Sequence, residues 1–150
     1  MNILVTYASM TGTAEFVSEE LHDQLEGMGL SSTLLDMGDL DIEQMKAFDK
    51  VIICSSSYGA GDVPSNGAKF YKALTEAQLD LSGIDFAVCG IGDGSYVHTF
   101  CGAAKKFQTA LQQAKANEFS EALFHDCRKD DEPEVKAVEW VTDIFAGCPT

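Results

Sequence analysis

The sequence predicts an α/β fold, a three-layer sandwich in which helices cover both faces of a five-stranded parallel sheet. Three observations predict it. Short apolar runs alternate with segments of helical spacing from one end of the chain to the other. The run Val51-Ile52-Ile53-Cys54 is continuously apolar, as in a strand buried on both faces. Strands separated by helices imply right-handed parallel crossovers, and 150 residues are too few for an eight-stranded α/β barrel.

The elements follow in order. Asn2–Tyr7 reads as a buried strand. A helix over Thr13–Met28 places Val17, Leu21, Leu25 and Met28 on one face and Glu15, Glu19, Glu20, Asp23 and Glu26 on the other, with Gly27 and Gly29 ending it. Ser31–Asp36 is the second strand, and Met37–Gln44 a polar connection with room for a short helix. Lys50–Ser55 is the third strand, followed by a Gly- and Ser-rich loop from Ser56 to Ser65. A helix over Asn66–Ala77 turns Phe70, Ala73, Leu74 and Ala77 to one side. Asp85–Ile91 is the fourth strand, and the irregular segment Gly92–Cys101 leads into a helix over Gly102–Ala114 with Phe107, Leu111 and Ala114 inward. Glu121–Asp126 is the fifth strand. Pro133 starts the last helix, Glu134–Phe145.

The chain reads as one domain, residues 1–150, with no repeat or linker. Ten Lys and Arg against 24 Asp and Glu give a net charge of −14, and residues 1–45 contain no Lys or Arg. Such a surface disfavours nucleic acid and anionic membranes and suits transient docking onto basic proteins. Five cysteines without a CxxC pair read as reduced thiols, and no apolar run approaches a membrane span. A cytoplasmic setting is expected.

In open parallel sheets, ligands bind beyond the C-terminal strand ends at the topological switch point. Three connections leaving those ends are marked: 8–15, 56–65 and 92–101. The first carries Ser9, Met10, Thr11, Gly12, Thr13 and Ala14 between a strand and a helix start. Hydroxyls and backbone N–H groups at a helix N-terminus form an anion cradle. GxxxxGK[ST] and GxGxxG are both absent, and no lysine precedes Lys46. A cradle of neutral donors suits a phosphate that is held, not one that is transferred. The other two loops bring Tyr58, beside Gly59, Ala60 and Gly61, and Tyr96, beside Gly92, Asp93 and Gly94. Two tyrosines at one crevice can sandwich a flat aromatic ring.

These motifs resemble the flavodoxin family, in particular its short-chain, MioC-type members. Ser9-Met10-Thr11-Gly12-Thr13-Ala14-Glu15 is similar to the phosphate loop of flavodoxins and of the FMN domains of diflavin reductases. Tyr58-Gly59-Ala60-Gly61-Asp62-Val63-Pro64 resembles the first isoalloxazine loop, and Gly92-Asp93-Gly94-Ser95-Tyr96 with Phe100-Cys101-Gly102 resembles the second. Ala14 replaces a threonine of many flavodoxins, and Tyr58 stands where many have tryptophan. The resemblance implies the flavodoxin-like strand order 2-1-3-4-5 and a non-covalent FMN. It implies cofactor contacts at Ser9, Met10, Thr11, Gly12, Thr13, Ala14, Ser56, Ser57, Tyr58, Gly59, Ala60, Gly61, Gly92, Asp93, Tyr96, Phe100 and Cys101. No metal and no catalytic residue is expected.

The implied function is a low-potential one-electron shuttle between a reductase and redox acceptor enzymes. Its partners would be basic-surfaced redox proteins, among them an NADPH-dependent flavodoxin reductase, and the protein itself a monomer. The competing reading is a two-electron FMN-dependent quinone or azo reductase. A receiver-type phosphoacceptor domain is disfavoured, because Ala8-Ser9 and Cys54-Ser55 stand where its acids are needed.

Overall fold

The computed structural model describes residues 2–9, 12–56, 63–76, 80–92, 101–126 and 132–146, without the side chain of Asp126. Its elements run β1 (Asn2–Ala8), α1 (Thr13–Gly27), β2 (Ser31–Asp36), a 3-10 turn (Met37–Asp39), α2 (Ile42–Met45), β3 (Lys50–Ser56), α3 (Ser65–Leu74), β4 (Asp85–Gly92), α4 (Gly102–Gln113), β5 (Asn117–Glu118), β6 (Leu123–Asp126) and α5 (Pro133–Phe145). All strand pairs are parallel, in the order β2-β1-β3-β4-β5, with β6 also paired to β4. The expected α/β sandwich and its strand order are therefore observed.

Strand alternation divides the core into two layers. Leu4, Val51, Ile53, Phe86 and Val88 face Phe70 and Leu74 of α3 and Phe107 and Leu111 of α4. Ile3, Val5, Ile52 and Cys54 face Val17, Leu21 and Leu25 of α1 and Ala137, Val141 and Phe145 of α5. Val51 to Cys54 are fully buried, as a central strand covered on both sides requires. Cys54, Cys89 and Cys101 are buried and outside any disulfide. Cys54 and Cys89 are register neighbours, and their mutual hydrogen bond together with burial pushes the Cys89 thiol up.

Individual helices differ sharply in charge. The acids of α1, Glu15, Glu19, Glu20, Asp23 and Glu26, lie on one side of the sheet, in a helix with no Lys or Arg. On the other side α3 carries Lys69 and Lys72, α4 carries Lys105 and Lys106, and neither helix contains an acid.

The fifth strand departs from expectation. In place of one strand over Glu121–Asp126, two pieces flank residues 119–122. Asn117 and Glu118 pair with Asp85 and Phe86, whereas Leu123 begins opposite Cys89. The edge strand thus gains two residues on β4 between its two halves. Local anchors hold the excess in place. The Phe119 ring packs 5.7 Å from that of Phe145 and lies beneath the Lys50 ammonium at 4.3 Å, while the Trp140 indole N–H donates to the Glu121 carbonyl at 3.0 Å. A side chain drawn onto α5 and a carbonyl bound by its tryptophan both favour the bulge over a regular ladder.

Other boundaries shift by little. α1 ends at Gly27, and Gly29 at φ +81° lets the Leu30 N–H reach the Leu25 carbonyl. α3 stops at Leu74, where the Thr75 hydroxyl donates back to the Lys72 carbonyl; Ala77 lies outside the described residues. The polar connection holds both a 3-10 turn and α2, the latter started by reciprocal Asp41–Gln44 capping.

Candidate cofactor site

The three marked connections leave adjacent strands at one level. Ala8 of β1 pairs with Ser55 of β3, and Ser55 and Ser56 pair with Gly90 and Ile91 of β4. The loop after β1 therefore opens beside the loops after β3 and β4, between α1 on one side of the sheet and α3 and α4 on the other. Ser9, Gly12, Thr13, Ala14, Ser56 and the Gly92 backbone gather at this end. Met10, Thr11, Ser57, Tyr58, Gly59, Ala60, Gly61, Asp93, Tyr96 and Phe100 lie outside the described residues.

At the first loop, Gly12 is the N-cap of α1 at φ +90° and ψ −4°, a left-handed conformation open to glycine at little cost. Having no side chain, it places no capping group over the first turn, and among the described residues a Cβ built on it would meet nothing within 4 Å. The Gly12 N–H donates to Ser9 Oγ at 2.9 Å, which ties the helix start to the end of β1. Ala14 is fully buried against the sheet.

A second set of bonds fixes where this loop begins. Asn66, in the first turn of α3, accepts the Ser9 N–H on Oδ1 at 2.9 Å. Its Nδ2 donates to the Tyr7 carbonyl at 3.2 Å and to Asp36 Oδ1 at 3.0 Å. Asp36 Oδ1 also accepts the Gly38 N–H at 2.7 Å. The sequence marks Asn66 only as the start of a helix, and nothing local to it signals these long-range bonds.

Tyr7, at the end of β1, donates its hydroxyl to Glu15 Oε2 at 3.1 Å, joining the strand to the first turn of α1. Burial, this hydrogen bond and the charges of Asp36, Glu15 and Glu19 push its phenol from the ordinary 10.0 up to about 12. The unfolded phenol ionises near pH 10 while the folded one keeps its proton to about 12. The resulting stabilisation is intact below pH 10 and is lost as pH rises through 12. Urea unfolding of wild type and Tyr7→Phe should show wild type losing up to about 2–3 kcal/mol relative to the variant across that window. A constant difference would disprove the coupling.

Cys101 is the N-cap of α4 at φ +52° and fully buried, its Sγ 3.9 Å from the His125 carbonyl. Its side chain packs into the core with Ala104 and Phe107. Among the described residues no three His, Cys, Asp or Glu side chains group as metal ligands, and no helix is long and apolar enough to cross a membrane.

The described groups fit a phosphate monoester: an N-terminus without a side-chain cap, with the hydroxyl residues Ser9 and Thr13 beside it. Such a cradle, at the switch point of an open parallel sheet, defines a nucleotide-cofactor-binding α/β domain. The flavodoxin family model matches residues 5–140. The chain is 36% identical to the protein MioC homolog of Haemophilus influenzae over 98% of this chain and 99% of that one. It is 32% identical to the sulfite reductase [NADPH] flavoprotein alpha-component of Bacillus subtilis over 97% of this chain, which spans 23% of that protein. A flavodoxin structure from Pseudomonas aeruginosa superposes with a TM-score of 0.86 at 26% identity, covering 97% of each chain. The chain belongs to the flavodoxin family; it is an FMN-binding electron-transfer protein.

Proposed function

We propose that this protein is a one-electron carrier that docks through its acidic side onto basic redox proteins, a NADPH-dependent reductase as donor and acceptor enzymes beyond it. The observation that carries the reading is the acidic, cation-free α1, whose N-terminus is also the phosphate cradle. A partner steered by that field arrives at the cofactor end of the sheet. The lysines of α3 and α4 lie on the opposite face, and Lys136 of α5 is the one lysine among the described residues of the two helices on this side.

Bound FMN supplies the redox chemistry, taking up and releasing electrons singly. The chain's residues divide the remaining work. Ser9, Met10, Thr11, Gly12, Thr13 and Ala14 hold the phosphate with neutral donors. Tyr58 and Tyr96 enclose the ring, with Ser56, Ser57, Gly59, Ala60, Gly61, Gly92, Asp93, Phe100 and Cys101 forming the loops around it. Glycine at 59 would leave its peptide free to turn toward the ring and present either its N–H or its carbonyl there. The acidic surroundings disfavour further negative charge on the ring and so keep the second electron at low potential.

Stepwise anaerobic reduction of the FMN-loaded protein, followed in the visible, tests this. A long-wavelength band that rises to half reduction and then decays is expected, with negligible turnover of quinones. Direct two-electron conversion with rapid quinone turnover would replace the carrier by a two-electron reductase.

A further inference from the structure

We infer that Asn66 is a positioning residue that presets the phosphate loop and so makes the site select a phosphorylated flavin over the unphosphorylated one. The inference rests on the phosphate-cradle reading above and extends it to a residue outside the cradle. The three bonds of the Asn66 amide join elements far apart in sequence: the Ser9 N–H, the Tyr7 carbonyl and the Asp36 carboxylate. Only one amide orientation satisfies them. Turned over, the NH2 group would face the Ser9 N–H, and the oxygen would face a carbonyl and a carboxylate.

Both amide hydrogens are engaged within the protein, so Asn66 acts through Ser9. With its N–H held by Asn66, Ser9 turns its hydroxyl to accept the Gly12 N–H at 2.9 Å, and Gly12 sets the start of α1. The chain of contacts thus runs from α3 through Ser9 to the open helix N-terminus. Asp36 is itself fixed by the Gly38 N–H, so the anchor does not drift. Close packing holds α3 in place. A Cβ on Gly67 would stand 2.7 Å from Ala8 Cβ and 3.0 Å from Met37 Sδ, which keeps Asn66 against the end of β1. None of these bonds involves residues on the two ring loops. Loss of Asn66 should therefore relax the phosphate end and spare the ring end, because preorganisation is lost where the loop must reorder on binding.

The experiment is titration of flavin-free wild type, Asn66→Ala and Asn66→Asp with FMN and with riboflavin, read by quenching of flavin fluorescence. Asn66→Asp keeps the shape and the acceptor but loses both donors and sets a carboxylate against Asp36. Both variants should bind FMN about tenfold or more weakly, the scale of one or two unmade buried hydrogen bonds, with riboflavin affinity within about threefold of wild type. Unchanged FMN affinity, or equal losses for both flavins, overturns the inference. Should the alanine variant not melt cooperatively, the aspartate variant decides by the same criterion. A wild-type protein that binds FMN no better than riboflavin overturns the phosphate-cradle reading, and the inference with it.

Discussion

Gly90→Val is expected to lower the unfolding midpoint by roughly 10 °C, a loss of about 3 kcal/mol or more. Gly90 lies in β4 directly beneath the start of α4. A Cβ there would sit 2.7 Å from Ala104 Cβ, 3.0 Å from the Phe124 ring and 3.3 Å from Cys101 Cβ. The nearest of these atoms is bonded to helix backbone and cannot swing away, so α4 must lift from the sheet. That helix also carries the far end of the third loop, and cofactor retention should weaken together with stability. Thermal unfolding of the flavin-free protein isolates the packing effect, and a midpoint within about 3 °C of wild type would refute the close approach. Adding Ala104→Gly should restore part of the loss, beyond the cost of glycine in a helix.

Gly12→Val should weaken FMN binding about a hundredfold, with the midpoint potentials of the bound flavin unchanged. At φ +90° a β-branched residue is strained by about 1–2 kcal/mol, and its side chain would stand at the start of α1, where the proposed phosphate cradle lies. A phosphate anchor would hold oxidised and reduced flavin alike, and an interaction equal in two states shifts no equilibrium between them. Isothermal titration and spectroelectrochemistry on one preparation check both halves. A shifted potential at unchanged affinity would contradict the assignment of this loop as an anchor.

Most of the fold was legible because the signals were periodic. Val17, Leu21 and Leu25 repeat at helical spacing and all three are fully buried, and the apolar run Val51–Cys54 is the central strand. The split edge strand was not legible. β5 is two residues long, too short for any alternation to register, and what interrupts the ladder is Phe119 packing on α5 and Trp140 binding a carbonyl. The candidate cradle suggests itself because hydroxyls, a glycine and a helix start are contiguous in sequence, and of these the structure describes Ser9, Gly12 and the start of α1. Asn66 could not be read this way, since its bond to Ser9 spans 57 residues and depends on α3 meeting the end of β1. Gly67 and Gly90 carried a weaker signal: a glycine inside a helix or strand pattern marks a close approach, but only the fold shows to what.

The bulged edge has a consequence for the protein as a crowded solute. A sheet ending in a long, regular strand exposes a row of unpaired N–H and C=O groups on which another chain can add, the first step of aggregation. Here that border is broken into two short ladders out of step by two residues, with exposed Glu121 at the break and a tryptophan occupying its carbonyl. No foreign strand can match both halves in a single register. Of the two borders of the sheet, the one at β5 and β6 is thereby protected against strand addition, while β2 at the other keeps a regular ladder.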